Sequence, residues 1–347
     1  MSEIPSGAMR FNSDSQKLEY WNGSAWFQVH TATPNLATAG DPTPGARGLI
    51  GGGYDGGSPG REVQIQYLNI SSAGDTVNFG DLTQGRSDLG AFSSSTRGVF
   101  AGGFPDGSYS DTLDFVTIAS TGDAIDFGNL TVARQPPAGC SNSTRGLVGG
   151  GFGDPGGGYA DLDIIDYVTI ASTGDAKDFG NLTLGRRALG ALSSPVRGIW
   201  AGGVGESPAV SQDEIDFVTI ATLGNAQDFG DLTAAKRGPS GSSNSTRGIF
   251  AGGRESPSPN NFFNDINYIT IASGGNAANF GDLTTTRSNV ASCSSSTRGV
   301  FAGGYNPTRV NTIEYVEFLT EGNAVDFGDL LSVLEVASGC SNAHGGL

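Results

Sequence analysis

The chain repeats itself six times, and a repeat array restricts the possible folds more than any other feature of the sequence. Arg-Gly recurs at Arg47, Arg97, Arg145, Arg197, Arg247 and Arg298. Phe-Gly recurs at Phe79, Phe127, Phe179, Phe229, Phe280 and Phe327, a period of roughly fifty residues. The clearest copy runs from Leu89 through Arg97 to Gly102-Gly103, then from Leu113 to Thr131. A unit this short cannot bury its apolar face alone, so the copies are expected to stack and share a core.

Fixed and variable intervals separate packed strands from loops. An aromatic (Tyr67, Phe115, Tyr167, Phe217, Tyr268 or Tyr315) stands 12 residues before each Phe-Gly phenylalanine, which stands 18 before the next Arg-Gly. Each Arg-Gly arginine stands 6 residues before the second glycine of a Gly-Gly pair. From that glycine to the aromatic the interval is 14, 12, 16, 14, 15 and 11 residues in successive copies. A segment free to change length is a surface loop, whereas constant spacing marks strands and tight turns. Each copy therefore reads as four strands, lettered a to d, at Gly90–Ser94, Arg97–Ala101, Leu113–Ala119 and Ile125–Leu130 in the clearest copy. Strand a is made of small residues that suit a crowded inner position. Strand c is nearly continuous in apolar and β-branched residues, as expected when both faces are covered. Gly122, in the turn between c and d, supplies a positive φ.

The first copy lacks a strand a of the usual kind, and the end of the chain supplies one. Ser338-Gly-Cys-Ser-Asn342 lines up with Ala138-Gly-Cys-Ser-Asn142, so residues 336–343 are expected to complete the first copy. That pairing would leave no open sheet edge. Cys140, Cys293 and Cys340 share one register, held elsewhere by Phe92, Leu192 and Ser242. Odd in number and without CxxC spacing, they read as small buried apolar side chains, not as a disulfide framework or a metal site.

A Gly-Gly doublet closes strand b, and an aromatic follows it at Tyr54, Phe104, Phe152 and Tyr305. Further aromatics stand in strands c and d, with an arginine soon after. In these features residues 46–343 resemble the kelch repeat. The resemblance implies an all-β fold: a six-bladed kelch-like β-propeller over residues 46–347, closed by the C-terminal strand. The sequence departs from the kelch pattern in using Phe in place of Trp in the last strand, and in Val204 and Arg254 after Gly-Gly. A WD40 reading fits less well, because the period is too long and no Trp-Asp dipeptide ends a strand.

Residues 1–34 read as a separate small β-hairpin or meander, and residues 35–45 as a linker. Met9-Arg-Phe11, Leu18-Glu-Tyr-Trp21 and Trp26-Phe-Gln-Val29 alternate in polarity and are separated by Asn12-Ser-Asp-Ser15 and Asn22-Gly23 turn signals. Such a meander is too small to hold a core. It is expected to dock on a partner or on a copy of itself, with Trp21, Trp26 and Phe27 available for the contact. The pattern Gly7-Ala-Met-Arg-Phe-Asn12, Leu18-Glu19, Asn22-Gly23 and Trp26 is similar to a segment recurrent in tail-fibre and other virion proteins of tailed bacteriophages, especially marine and cyanobacterial ones. That resemblance implies a virion location, contact with other virion proteins through this module, and an oligomer within the particle.

Charge and missing chemistry narrow the function further. The formal net charge of −16 repels nucleic acid phosphate and anionic lipid. No run is long enough to cross a membrane, and the N-terminus shows no secretory signal, so release within a particle is the expected route outside a cell. His30 and His344 are the only histidines and are expected at the margins of the propeller. They leave no ligand set for the copper chemistry of some kelch propellers and no Ser–His–Asp triad. Sialidase-type Ser-x-Asp-x-Gly-x-x-Trp boxes are missing. Asp126, Asp178 and Asp228 repeat with the units and are expected to serve the fold through turn hydrogen bonds or pairing with the repeated arginines. No catalytic residue, metal or cofactor is expected, and the chain is not read as an enzyme.

The two resemblances together imply a virion structural protein, in a tail fibre or associated with tail or capsid, that presents its propeller for host-surface recognition or adhesion. The alternative is a purely structural decoration or adaptor protein that contacts other virion proteins. Recognition is expected in the variable loops after Gly-Gly, at Tyr54, Tyr109, Tyr159, Arg254, Asn260, Phe262, Phe263, Tyr305 and Arg309. Aromatics beside Asn and Arg suit sugar stacking with hydrogen bonds and equally suit a protein partner.

Overall fold

The structure, a computed structural model, describes residues 5, 8–12, 17–21, 24–28, 46–57, 60–205, 209–257 and 261–347. Among these residues the regular elements are all β-strands, and the sheets are antiparallel. The chain divides into two compact units, Met1–Pro44 and Gly45–Leu347.

In the smaller unit, strands Met9–Asn12, Lys17–Trp21 and Trp26–Gln28 form a meander. Arg10 pairs with Glu19, and Trp21 pairs with Trp26. The period of two puts Arg10, Trp21 and Trp26 on one face. There the two indoles sit 5.5 Å apart and the Arg10 guanidinium lies 4.2 Å from the Trp26 ring centre. Phe27 falls in the third strand opposite Tyr20 in the register, and its side chain is outside the described part.

The larger unit contains six four-stranded sheets among its described residues, each ordered a–b–c–d. In the second copy these strands are Gly90–Ser93, Arg97–Ala101, Thr112–Thr117 and Ile125–Asn129. The inner strand of the first copy is Ser338–Ser341, which pairs with Arg47–Gly51 so that Cys340 faces Leu49. The same register joins Cys140 to Leu147 in the third copy.

Repeated residues explain each sheet. The strand c aromatic meets the strand d phenylalanine edge-on, as in Phe115–Phe127 at 5.8 Å and 84°. The Arg-Gly arginine lays its guanidinium over the same aromatic, Arg97 over Phe115 at 4.6 Å. The twelve-residue spacing is thus the length of a c–d hairpin that brings two rings together.

The rest of the repeat joins neighbouring sheets. Nη1 of Arg47, Arg97, Arg145, Arg197 and Arg247 donates to the carbonyl of Ile118, Ile170, Ile220, Ile271 and Phe318 respectively, each in the following copy. Arg298 in the sixth copy donates to Ile70 and Ser71 in the first. The Phe-Gly glycine is needed for close approach: a Cβ on Gly128 would stand 2.5 Å from the Gly174 carbonyl of the next c–d turn. The cysteine register fills space left by the Arg-Gly glycine of the next copy. A Cβ on Gly198 would meet the Cys140 sulfur at 2.9 Å, and one on Gly98 the Cys340 sulfur at 3.0 Å. All three cysteines are buried and free, and burial pushes the thiols of Cys140 and Cys340 up to about 12, which suppresses the reactive thiolate.

A second set of hydrogen bonds links the inner strands in a cycle. Ser93 Oγ donates to Ser341 O, Ser341 to Ser294, Ser294 to Ser243, Ser243 to Ser193, Ser193 to Ser141, and Ser141 back to Ser93, at 2.5–2.9 Å. Serine is small enough for this crowded position and satisfies a carbonyl that no strand partner reaches.

Between sheets lies a buried ion pair. Arg86–Asp114, Arg134–Asp166, Arg186–Asp216 and Arg287–Glu314 meet at 2.6–3.2 Å with side chains at most 1% exposed. The expected partners Asp126, Asp178 and Asp228 are a correction: they are exposed on strand d, while the buried acids come from strand c of the next copy. A threonine hydroxyl completes each carboxylate, as Thr131 Oγ1 does at 2.7 Å from Asp166. The junction of the fourth copy with the fifth uses Lys236 with Asp265 at 2.7 Å, and Asn267 takes the acid's usual place.

At the junction of the sixth copy with the first, both charges vanish together. Leu334 stands where the arginine would be, and Gln66 where the acid would be, both at most 2% exposed. Gln66 Oε1 accepts from Thr76 Oγ1 at 2.7 Å and Leu331 N at 2.9 Å. Removing one member of a buried pair strands a charge, at about 3–5 kcal/mol, whereas replacing both avoids that penalty. Arg134→Leu is therefore expected to lower unfolding free energy by about 3–5 kcal/mol in urea denaturation. Adding Asp166→Gln should restore most of it by rebuilding the Leu334–Gln66 arrangement. A double variant no more stable than the single one contradicts this account of the junctions.

Candidate functional site

A narrow channel of about 160 Å³ runs between the inner strands of all six copies. Its two ends differ. At one end the chain terminus turns inward, and His344 Nε2 lies 2.9 Å from Ser93 O and 3.3 Å from Ser141 Oγ. Gly346 N donates to His344 Nδ1 at 3.1 Å, which makes Nδ1 the acceptor and Nε2 the protonated nitrogen. The expected position of His344 at the margin is corrected: it stands among the inner strands.

At the other end, the residues two before each strand a hydrogen-bond around the opening. Asp88 N donates to Val336 O, Val336 to Asn289, Asn289 to Gly238, Gly238 to Ala188, and Ala188 to Pro136, at 2.8–3.4 Å. The cycle is interrupted only at Pro136, which has no N–H. Asp88, Ala188, Asn289 and Val336 hold φ between 51° and 58°. For a β-branched residue such as Val336 that conformation is strained, and the surrounding hydrogen bonds hold it there.

This opening widens into a second cavity of about 560 Å³. One backbone bridge recurs in every copy: Tyr54 with Glu335, Ser87 with Phe104, Gln135 with Phe152, Arg187 with Val204, Arg237 with Arg254, and Ser288 with Tyr305. All of these except Phe104, Val204, Ser288 and Tyr305 line the cavity. The position is repeated in backbone and unrepeated in side chain. Aromatics gather on one side, with Tyr109 5.1 Å from Tyr159, 5.9 Å from Phe152 and 5.7 Å from Phe104. Arg187 lies over Phe152 at 4.8 Å and pairs with Asp161 at 2.5 Å. Arg61 lies over Tyr54 at 4.7 Å, and Arg309 lies over the same ring at 4.4 Å while pairing with Glu335 at 2.6 Å.

Among the residues expected from the loops, Tyr54, Tyr109 and Arg254 line this cavity. Tyr159 is 64% exposed beside Tyr109. Phe262, Tyr305 and Arg309 form a linked row, with Phe262–Tyr305 at 5.9 Å and Arg309 over Tyr305 at 5.6 Å. Phe263 does something else: its ring stands 4.8 Å from the buried Lys236 Nζ and covers that charge. Asn260 lies outside the described residues. Arg187 and Arg237 escaped the loop-length argument because they sit in a segment of fixed length, directly after the buried Arg186 and Lys236. The signal for them was variation within that segment, where the copies carry Ser87, Gln135, Arg187, Arg237, Ser288 and Glu335.

Burial first, then the charges of Arg254 and Arg187, bring Arg237 down to about 10. Burial raises the Asp88 carboxyl, against the pull of the Ser87 hydroxyl at 2.8 Å. Among the described residues no group of three or more His, Cys, Asp and Glu is placed to hold a metal. The cavity lining presents cations, aromatic side chains and few carboxylates. No model of a known protein family matches the chain, and neither does any curated protein. The kelch and virion resemblances therefore rest on the motifs that carry them.

The channel's closed end makes a pH prediction. Burial holds His344 down to about 4 against an ordinary 6.5, against the pull of the Ser93 carbonyl. The folded-state value is depressed, so the unfolded chain takes up the proton first, and stability falls as pH drops from 6.5 towards 4. His344→Gln should flatten that fall in thermal melts between pH 7 and pH 4, with the gap from wild type growing as pH decreases. Parallel curves for the two proteins would show that His344 does not titrate there.

Proposed function

We propose that residues 46–347 form a six-bladed kelch-like β-propeller. We further propose that the protein is a structural component of a tailed-bacteriophage virion, in a tail fibre or associated with tail or capsid, whose propeller mouth recognises a host surface. Six four-stranded sheets in one repeated order support the blade count, as do the serine cycle and the Arg298–Ile70 contact between the last copy and the first. Recognition rests on one observation: the residues around the 560 Å³ cavity share a backbone position but not a chemistry, while the contacts between sheets repeat nearly without change. Side chains that differ at a shared backbone position are not fixed by the fold and are free to carry recognition. Virion attachment rests on the N-terminal segment's similarity to phage tail-fibre proteins, with Trp21, Trp26 and Phe27 as docking residues and other virion proteins as partners.

Particles carrying Tyr109→Ser and Tyr159→Ser are expected to assemble in normal number and to lose host adsorption by roughly tenfold or more. Deleting residues 1–44 should leave the melting temperature of the larger unit unchanged and abolish incorporation into particles. Normal adsorption by the tyrosine variant, with failed assembly, would replace recognition by a purely structural adaptor role. Incorporation of the truncated chain would move the anchor to the larger unit.

A further inference from the structure

Three arginines that no repeated contact requires stand on one side of the mouth. Arg187 and Arg237 follow the buried cation of their copies, and Arg254 replaces the aromatic that follows Gly-Gly in four other copies. Arg237 and Arg254 face each other across a backbone bridge, each N–H donating to the other's carbonyl at 2.9 Å. Like charges placed opposite one another in this way are destabilising. Arg187 has Asp161 to offset its charge. Among the described residues neither Arg237 nor Arg254 has a carboxylate within 4.0 Å, although the chain carries 35 acidic residues. Their Nε atoms are buried without a hydrogen-bond partner. The corresponding Ser288–Tyr305 pair shows that the backbone bridge forms without any charge.

Arg254 lies over Phe262 at 5.9 Å, and Asp88 and Asp161 attract Arg237 from beyond ion-pair distance, yet the two facing guanidiniums still lack an anion in contact, which points to a ligand. The lining holds four guanidiniums, of Arg61, Arg187, Arg237 and Arg254, against the carboxylates of Asp88 and Glu335. A group of low negative charge suits that balance, and a polyanion does not. Tyr109 and Phe152 line the same cavity, and the Tyr159 ring stacks on Phe152 at 5.9 Å and 15°. Tyr109 stands edge-on to Phe152 at 82°, and Phe152 is already covered by Tyr159 and the Arg187 guanidinium, so the ring left to meet a ligand is Tyr109. A ring face beside guanidiniums matches a sugar that presents C–H bonds on one face and an anion at its edge. The cavity volume lies within the range of small-ligand sites.

We infer that the mouth binds an acidic sugar of a surface glycan, with its anionic group held by Arg237 and Arg254 and its ring against Tyr109. The inference rests on the recognition reading and names its ligand class. Calorimetric titration of the full chain at low salt with sodium glucuronate, glucose, sodium sulfate and a glutamate pentapeptide tests it. Glucuronate should bind, and glucose should bind about tenfold more weakly or not at all. The combined Arg237→Gln and Arg254→Gln variant should lose glucuronate affinity by about tenfold or more. Its melting temperature should stay the same or rise, since the repulsion is gone. Equal glucuronate binding by variant and wild type overturns the inference. Sulfate binding as tight as glucuronate overturns the role of the sugar ring, and pentapeptide binding with inert glucuronate moves the assignment to acidic protein. If glucuronate does not bind while the Tyr109 and Tyr159 variant loses adsorption, the acidic-sugar inference fails and recognition stands. If glucuronate binds but adsorption survives in every variant, the anion site stands and the recognition reading fails.

Discussion

The buried cation–carboxylate pair between adjacent sheets is the constraint on which the rest of the larger unit depends. A guanidinium at 0% exposure is tolerable only where the next sheet brings an acid within hydrogen-bond reach, as Asp166 does for Arg134. The pair thus fixes how two sheets meet, because a shift of either would leave a bare charge in the interior. Its replacement by Leu334 and Gln66 at the last junction is consistent with that rule, since the two positions change as a pair. Such pairs contribute little net stability compared with apolar packing, and their effect is on alignment.

Alignment at the sheet junctions carries through to both ends of the channel. With neighbouring sheets held in place, the small inner strands come close enough for serine hydroxyls to link them. The same approach brings the residues two before each strand a into a nearly complete ring of backbone hydrogen bonds, with a positive φ at Asp88, Ala188, Asn289 and Val336. Side chains at the bridges just outside that ring are then free to differ. The mouth is a rigid backbone frame that carries variable chemistry, a combination suited to a binding surface.

Much of this was legible in the sequence. Strand b of the second copy was read at Arg97–Ala101, the limits observed, and the other strands fall within two residues because constant spacing reports packed elements. The use of the C-terminal strand followed from the match of Ser338–Asn342 to Ala138–Asn142, and the strand pairs as that match requires. Contacts across junctions were not legible, since a repeat shows which residues recur and not which copy they touch. Asp126, Asp178 and Asp228 recur beside Phe-Gly as the arginines recur, yet the acid that meets Arg86 is Asp114, in strand c of the next copy. The contact of the Phe263 ring with Lys236, at 4.8 Å, is likewise invisible to loop length. Arg187 and Arg237 were hidden for a related reason: loop length drew attention to the variable segments, and these two arginines vary inside a fixed one.

Hydrogen exchange read by mass spectrometry on the native protein tests the central claim, that the array of sheets closes through the chain's end. Strand Arg47–Gly51 lies between Ser338–Ser341 and Gln64–Asn69, with a partner on each side. Its amides should exchange as slowly as those of Arg145–Gly149, which lies between two strands close in sequence. Fast exchange at Arg47–Gly51 and Ser338–Ser341, beside slow exchange in the other copies, would mean that the array is open at this junction.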